Sequence, residues 1–177
     1  MKSTDLLMQE HKLILRALDV LDAVSDSMES TGTADQLDVD KVLNFLRWFA
    51  DAHHQAKEET ILFPALKRAA ASQDRPVEHM SKEHEQERAF VEDLETNLRL
   101  AKFSDFVSRA KRLTSSLRNH IYKEDRILFA IADELLSAAE DDAVFERLSC
   151  FDTTLDKQDL DEKLKELHTL EWKYLRR

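Results

Sequence analysis

The sequence predicts an all-α protein, an antiparallel up-down four-helix bundle with a C-terminal helical extension. Three observations favour this fold class. The chain of 177 residues contains one glycine and two prolines, which leaves little material for hairpin turns. Apolar residues recur at alternating spacings of three and four, as on the buried face of a bundle helix. Four such segments follow one another with short polar connections, and helices joined by short loops pack antiparallel.

Four long helices can be placed on the sequence in order. Their predicted limits are about residues 3–28, 38–71, 76–101 and 104–139. Pro76 suits a first helical turn, and Ser104 is a predicted N-cap. Pro64 falls inside the second helix and is expected to kink it, because proline lacks the N–H that its turn needs. Residues 1–140 are assigned to the bundle, and residues 141–177, a short helix, a loop and an amphipathic helix, to an extension packed on or beside it.

Charge and cysteine content exclude several classes of protein. The formal net charge is −10, so the surface repels phosphate backbones and anionic membranes, and no nucleic-acid partner is expected. Cys150 is the single cysteine, which rules out an intrachain disulfide and a four-cysteine metal cluster. No apolar run has the length of a signal-peptide core or of a membrane span. The sequence therefore favours a cytoplasmic protein without membrane contact.

Each apolar stripe is interrupted by polar residues for one or two turns. The stripe of the fourth helix, for example, is predicted to contain Leu113, Leu117, Ile127 and Ile131. The residues that fill the four gaps are His11, His54 with Glu58, His84, and His120 with Glu124. Positions i and i+4 lie about 40° apart on an α-helix, so both members of each His-x-x-x-Glu pair point the same way. A glutamate in a bundle core is costly unless it is paired or metal-bound, so these six residues are candidate metal ligands.

An internal repeat supports this interpretation. The segment KEETILF at residue 57 recurs as KEDRILF at residue 123, 66 positions later, and QEH at residue 9 recurs as KEH at residue 82, 73 positions later. Each half is thus a helix with one histidine followed by a helix with His-x-x-x-Glu. Pseudo-twofold packing would give each of two metal ions two histidines and let both glutamates bridge. Nitrogen and oxygen ligands of this kind suit iron, manganese or zinc.

Other polar residues near these positions are expected to support the site, to join it or to lie at the surface. His53 is expected to border the site or to orient a neighbour. Glu87 falls on the third stripe and could support the site or supply a further ligand, and Asp125 is an alternative ligand to Glu124. Surface positions are expected for His79, His168, Glu59 and Asp125.

The motifs EH, HHQAKEETILFPAL, MSKEHEQER and HIYKEDRILF lie at residues 10–11, 53–66, 80–88 and 120–129. Together they resemble the hemerythrin-like, HHE cation-binding domain family over about residues 5–139. The resemblance implies two iron ions, oxo- or hydroxo-bridged, inside a four-helix bundle, with manganese or zinc as substitutes. It also makes the six candidate residues the iron ligands, with Glu58 and one acid of the fourth helix as bridges.

The resemblance implies a protein that binds or senses O2, NO or peroxide, in oxidative or nitrosative stress or in iron handling. Met80 stands where the oxygen-carrying hemerythrins have a further histidine, so the pattern is closer to relatives implicated in nitric-oxide and stress responses. A different class of function is a di-iron oxidase or peroxidase-like enzyme. A third is a helical scaffold with a vestigial site, whose C-terminal helix docks a protein partner or forms a homo-oligomer.

Overall fold

The computed structural model describes residues 1–33 and 35–176, and the regular elements in these ranges are all helical, which confirms the predicted all-α bundle. The α-helices are α1 (Ser3–Thr31), α2 (Gln36–Phe45), α3 (Phe63–Ala69), α4 (Asp74–Arg99), α5 (Phe103–Lys123), α6 (Phe129–Leu135), α7 (Ala138–Asp152) and α8 (Lys157–Leu175). Three π-helical segments interrupt them, π1 (Leu46–Gln55), π2 (Glu58–Leu62) and π3 (Glu124–Leu128). The four bundle helices are therefore α1, residues 36–69, α4 and residues 103–135.

Some helix limits differ from the sequence-based prediction. The helix α1 continues to Thr31, where Gly32 adopts φ 69° and its N–H donates to the Met28 carbonyl. The predicted N-cap Ser104 is wrong, because α5 begins at Phe103 and Ser104 lies inside its first turn. The fourth bundle helix ends before residue 139, because Ser137 caps a new helix, α7, by accepting from the backbone N–H of Glu140.

Two apolar clusters fill the bundle on either side of the polar gaps. The larger cluster is formed by residues 14–28 of α1 and by parts of the ranges 39–50, 91–98 and 106–121. The smaller cluster contains Leu7, parts of the ranges 61–66 and 77–80, and residues 128–132. The smaller cluster therefore lies at the N-terminal end of the first and third bundle helices and at the C-terminal end of the second and fourth. This alternation is the up-down arrangement that the sequence predicts.

The segments π2 and π3 are related by the repeat, since each begins at the glutamate of its His-x-x-x-Glu pair. A π-turn accommodates one more residue than an α-turn and shifts the register of everything after it. The prediction that Ile127 belongs to the buried stripe is wrong for this reason: Ile127 is 55% exposed, and Leu128 is buried in its place.

The second bundle helix departs from regular α-helix next to Pro64. The π-helical segment π2 ends immediately before α3, in which Pro64 is the second residue. The proline does not explain it, however. The matching segment π3 has the same irregularity, and the residue that corresponds to Pro64 in the repeat is Ala130. The π-turns accompany the two glutamates, and π-turns in other proteins are often found at functional sites.

The helices α7 and α8 both pack on the bundle. Leu148 of α7 belongs to the smaller apolar cluster, and Leu167 and Leu170 of α8 belong to the larger one. The Arg16 guanidinium of α1 donates two hydrogen bonds, of 2.7 and 2.8 Å, to the carboxylate of Glu171 in α8. With its apolar face covered in this way, α8 offers a protein partner mainly its opposite side, so a contact through this helix stays a prediction.

None of the described helices combines the length and the apolar character that crossing a membrane would require.

Candidate metal centre

The six candidate ligands meet in the polar layer between the two apolar clusters. They come from all four bundle helices, and each is at most 2% exposed. The structure thus brings together every residue that the sequence proposes for the site, namely His11, His54, Glu58, His84, His120 and Glu124. Their potential ligand atoms form two groups that share both glutamates, and within a group these atoms lie within 4.8 Å of one another.

The first group joins His11 and His54 to the two glutamates. The Nε2 atom of His11 lies 3.3 Å from Oε2 of Glu124, and Nε2 of His54 lies 3.5 Å from Oε2 of Glu58. The two imidazole rings are close to one another, with centroids 4.5 Å apart. Two nitrogens and two carboxylates therefore surround one position.

The second group joins His84 and His120 to the same glutamates. The Nε2 atom of His84 lies 3.5 Å from Oε2 of Glu58, and Nε2 of His120 lies 3.2 Å from Oε2 of Glu124. The two Nε2 atoms are 3.0 Å apart. Each glutamate thus contacts one histidine of each group, which is the arrangement expected of carboxylates that bridge two metal ions.

The inner atoms of the site fit bound cations because they lack other partners. Both carboxylate oxygens of Glu58 and of Glu124, and Nε2 of His11 and of His54, are buried without any hydrogen bond within the described residues. Buried polar atoms in this condition are rare in folded proteins, and each costs about 1–3 kcal/mol. Ions bound between the two groups would satisfy them, and a set of imidazoles and carboxylates suits iron, manganese or zinc.

A second layer of carboxylates holds the four imidazoles in place. Each Nδ1 lies against one acid: His11 against Asp125 (2.7 Å), His54 against Glu10 (2.8 Å), His84 against Glu59 (2.7 Å) and His120 against Glu83 (2.8 Å). An ionised carboxylate can only accept, so each Nδ1 carries a hydrogen, and a ring that holds no second proton turns the lone pair of Nε2 inward. Hydrogen bonds of this kind fix the tautomer and orientation of metal-binding histidines.

Sequence reasoning missed this outer layer. The expectation that Glu59 and Asp125 are exposed is wrong, since their side chains are only 31% and 24% exposed and hydrogen-bond the histidines. Asp125 also lies on the outer side of His11, so it belongs to neither inner group. The repeat contains the missing signal, because Glu10 and Glu83 occupy one repeated motif and Glu59 and Asp125 the other. Each acid is next in sequence to an inner residue and therefore points about 100° away, towards a neighbouring helix.

The two glutamates have opposite protonation preferences when no metal is bound. Burial, together with the negative charge of Glu124, raises the pKa of Glu58 well above its usual range. Burial acts in the same direction on Glu124, but the charges of His120 and His11, whose Nε2 atoms lie 3.2 and 3.3 Å away, outweigh it and lower the pKa of Glu124. The pKa values of the two carboxyls are therefore shifted in opposite directions, as is typical of two acids that share a buried site.

The pKa values of the inner histidines are also shifted in opposite directions. Burial acts to lower the pKa of His120, but the negative charge of Glu124 and the hydrogen bond to Glu83 raise it to about 11. Burial, with the charge of His11, lowers the pKa of His54 to about 4.

The pKa of His11 is also raised, because contacts with Asp125 and Glu124 outweigh burial, and burial lowers the pKa of His84. In each group, therefore, the pKa of one ring is raised and that of the other is lowered. Because a metal ion needs deprotonated ligands, its uptake must displace any proton that a ring with a raised pKa holds.

Beyond the first group lies a buried network that includes Lys57. The Lys57 ammonium is fully buried and hydrogen-bonds both Glu10 and Asp152, the latter at 2.7 Å. His53 borders the site as expected, with Nε2 3.0 Å from Asp152 and 3.3 Å from Glu10. The potential ligand atoms of Glu10, Asp152 and His53 lie close enough together to hold a metal ion, but the Lys57 ammonium already provides the positive charge at that place. The extension thereby contributes Asp152 to the support of His54.

Glu87 lies just outside the second group. The Gln55 side chain donates to Oε2 of Glu87 at 2.7 Å, and Oε1 of Glu87 lies 4.0 Å from Nδ1 of His120. Burial raises the pKa of the Glu87 carboxyl to about 7. His79 and His168 remain at the surface as expected, with side chains 62% and 70% exposed.

Two phenylalanines related by the repeat cover the site from the side of the smaller cluster. Phe63 stacks on His84 with ring centroids 5.7 Å apart, and Phe129 stacks on His11 at 5.5 Å. Both rings are buried. They shield one inner histidine of each group and keep water from that side of the polar layer.

Replacing Glu83 with glutamine should weaken metal binding without removing a ligand. The amide no longer holds His120 as a charged acceptor, and loss of such a partner typically lowers metal affinity about 10- to 100-fold. Competition with a chromophoric chelator measures the change. The matched control is Glu85→Gln, an exposed acid two positions further on the same helix. Equal affinities for the two variants would contradict the assigned role of Glu83.

A family model described as the hemerythrin HHE cation binding domain matches residues 2–132. The match includes both inner groups and all four carboxylates of the outer layer, and it ends before α7 and α8. A comparison with curated proteins gives no match.

Proposed function

The chain belongs to the hemerythrin HHE cation-binding family, and from this premise we propose that it holds two iron ions in the bundle and binds O2, NO or peroxide. The geometry of the inner layer supports two ions rather than one, because two histidine pairs share two glutamates. Stress sensing or iron handling would be the physiological setting of such a protein.

The single observation that carries this proposal is the set of inward-facing atoms without hydrogen-bond partners on Glu58, Glu124, His11 and His54. Each position has two imidazoles and two shared carboxylates. Iron accepts more than four ligands, so this set leaves room for a small molecule from solution. Bound ferrous ions would supply the electrons and the open coordination positions that such a molecule needs.

The residues of the chain have separate tasks in this function. The outer carboxylates hold the Nδ1–H groups so that each Nε2 lone pair faces inward. Glu58 and Glu124 supply the negative charge that offsets two cations in a site shielded from water. Phe63 and Phe129 cover the rings of His84 and His11 and so limit the site to small ligands.

The proposal is tested by loading the full chain with ferrous iron without oxygen. We expect about two iron ions per chain and new visible absorption bands when O2 or NO is admitted, as for other non-haem iron centres. The His168→Ala variant should behave in the same way, because this histidine lies on the exposed side of α8. Less than one iron per chain, or no spectral response to either gas, would overturn the proposal.

A cavity beside the second group favours an alternative, a di-iron oxidase or peroxidase-like enzyme. The cavity reaches Gln55 and Glu87, and Glu87 lies 4.0 Å from the Nδ1 atom of His120. An enzyme would consume peroxide steadily, well beyond one equivalent for each centre. Consumption that stops at a single equivalent would leave binding or sensing as the function.

A further inference from the structure

The cavity that reaches Glu87 lies between the second, third and fourth bundle helices, on the side of the larger apolar cluster. Its volume is about 290 Å³. Its apolar walls are Leu46, Ala50, Val91, Leu113 and Leu117, and its exposed margin includes Arg47 and Glu92. A cavity of about 150 Å³ already accepts benzene. The space therefore suits a molecule of one ring with small substituents.

The buried polar side chains of the cavity wall present two hydrogen-bond acceptors, and its half-buried margin contains the ion pair of Arg88 with Asp51. Gln55 and Glu87 are both buried, and the amide nitrogen of Gln55 donates to Glu87 Oε2. This bond fixes the orientation of the amide, since the carboxylate accepts. The remaining oxygens, Oε1 of Gln55 and Oε1 of Glu87, have no hydrogen-bond partner among the residues that the structure describes. A molecule that fills the cavity can satisfy them only with a donor group.

In the other half of the repeat, apolar residues occupy the places of this polar pair. The residue 66 positions after Gln55 is Ile121, and the residue 73 positions before Glu87 is Ile14. Both isoleucines are buried in the larger apolar cluster. One half of the bundle therefore packs the equivalent place with hydrocarbon, while the other half keeps a buried carboxylate whose desolvation is costly. A cost that the fold can avoid is better explained by a ligand.

We infer that this cavity is a binding site for a small neutral molecule with an apolar body of about one ring and a hydroxyl group that donates to Glu87 and Gln55. A neutral donor suits the site better than an ammonium group, because the apolar walls make the desolvation of a full positive charge costly. The inference concerns a second site next to the metal centre and does not depend on which metal, if any, the centre holds.

Phenol and toluene are the matched probes, since they share a ring and differ in the hydroxyl group. In two-dimensional NMR of the full chain, phenol at roughly millimolar concentration should give cross-peaks to methyl groups of Val91, Leu113 and Leu117. A charge-assisted hydrogen bond is worth at least about a factor of ten in affinity. Replacing Glu87 with isoleucine should therefore raise the dissociation constant of phenol about tenfold relative to that of toluene.

Two variants and a control make this test specific. Glu87→Ile should fold, because Ile14 occupies the equivalent place, and Glu85→Ile carries the same change at an exposed position of α4. Ala50→Leu fills the cavity and should abolish binding of both probes. The inference would be overturned if phenol did not bind or if its cross-peaks came from other residues. It would also be overturned if the ratio of the phenol and toluene dissociation constants were the same in Glu87→Ile as in the unchanged chain. Probe binding by a chain that takes up no iron would support it while removing the proposed function.

Discussion

The Glu58→Leu variant should lose both metal ions, whereas His11→Ala should retain about one. Glu58 contacts a histidine of each inner group, so its loss removes a ligand from both positions, while His11 belongs to one group only. Metal at a thousand times its dissociation constant stabilises a folded chain by about 4 kcal/mol. We therefore expect the increase in the free energy of unfolding on metal addition to disappear in Glu58→Leu and to be partly kept in His11→Ala.

The metal-free chain should respond to Glu58→Leu in the opposite sense. Without metal, both oxygens of Glu58 are buried without a hydrogen bond, so an apolar side chain should leave the free energy of unfolding unchanged or higher. Urea unfolding with and without metal measures both effects, and metal analysis gives the stoichiometry. Two ions retained by Glu58→Leu, or equal losses in the two variants, would contradict the shared-glutamate geometry.

The Lys57→Met variant should destabilise the chain by about 3–5 kcal/mol, the usual cost of removing one partner from a buried ion pair. Lys57 is fully buried between Glu10 and Asp152, and methionine would leave both acids without its charge. Its counterpart in the repeat, Lys123, contacts Glu83 in the same way but is 21% exposed. Water can take over there, so Lys123→Met should cost only about 1 kcal/mol or less.

Urea unfolding of the two lysine variants tests this difference directly. Because Lys57 also holds Glu10, the acid of His54, Lys57→Met should in addition weaken metal binding at the first position. Equal destabilisation by the two substitutions would show that burial of Lys57 is not what makes it important. Asp152→Asn provides a further check, since it removes one acid from Lys57 and from His53 and changes no residue of the bundle.

The inner layer could be predicted from the sequence because its signals are local. Histidine and glutamate in place of leucine stand out on an apolar stripe, and the repeat shows that the interruption occurs twice. The outer layer could not be predicted in this way, because the partner of each acid lies on another helix. Glu59, for example, reads as one more exposed acid until the distance to His84 is known.

Two other features were hidden for different physical reasons. A helical period of 3.6 residues assigns Ile127 to the core, and only the hydrogen bond from Phe129 to the Glu124 carbonyl reveals the π-turn that moves Leu128 there. Lysine is normally solvated, so nothing in the sequence distinguishes the buried Lys57 from the partly exposed Lys123. The buried ammonium of Lys57 is paired with Asp152, a residue of the extension more than ninety positions later in the sequence.

The π-turns at Glu58 and Glu124 each absorb one residue more than an α-helix would hold at that place. Deleting a single residue within either segment would let the backbone close into ordinary α-turns, and the residues that follow would keep the faces they have now. Leu128, for example, would stay buried. In an alignment of related chains, single-residue gaps should therefore be tolerated at residues 58–62 and 124–128, as in the connections between helices, and excluded from the regular α-helical turns on either side.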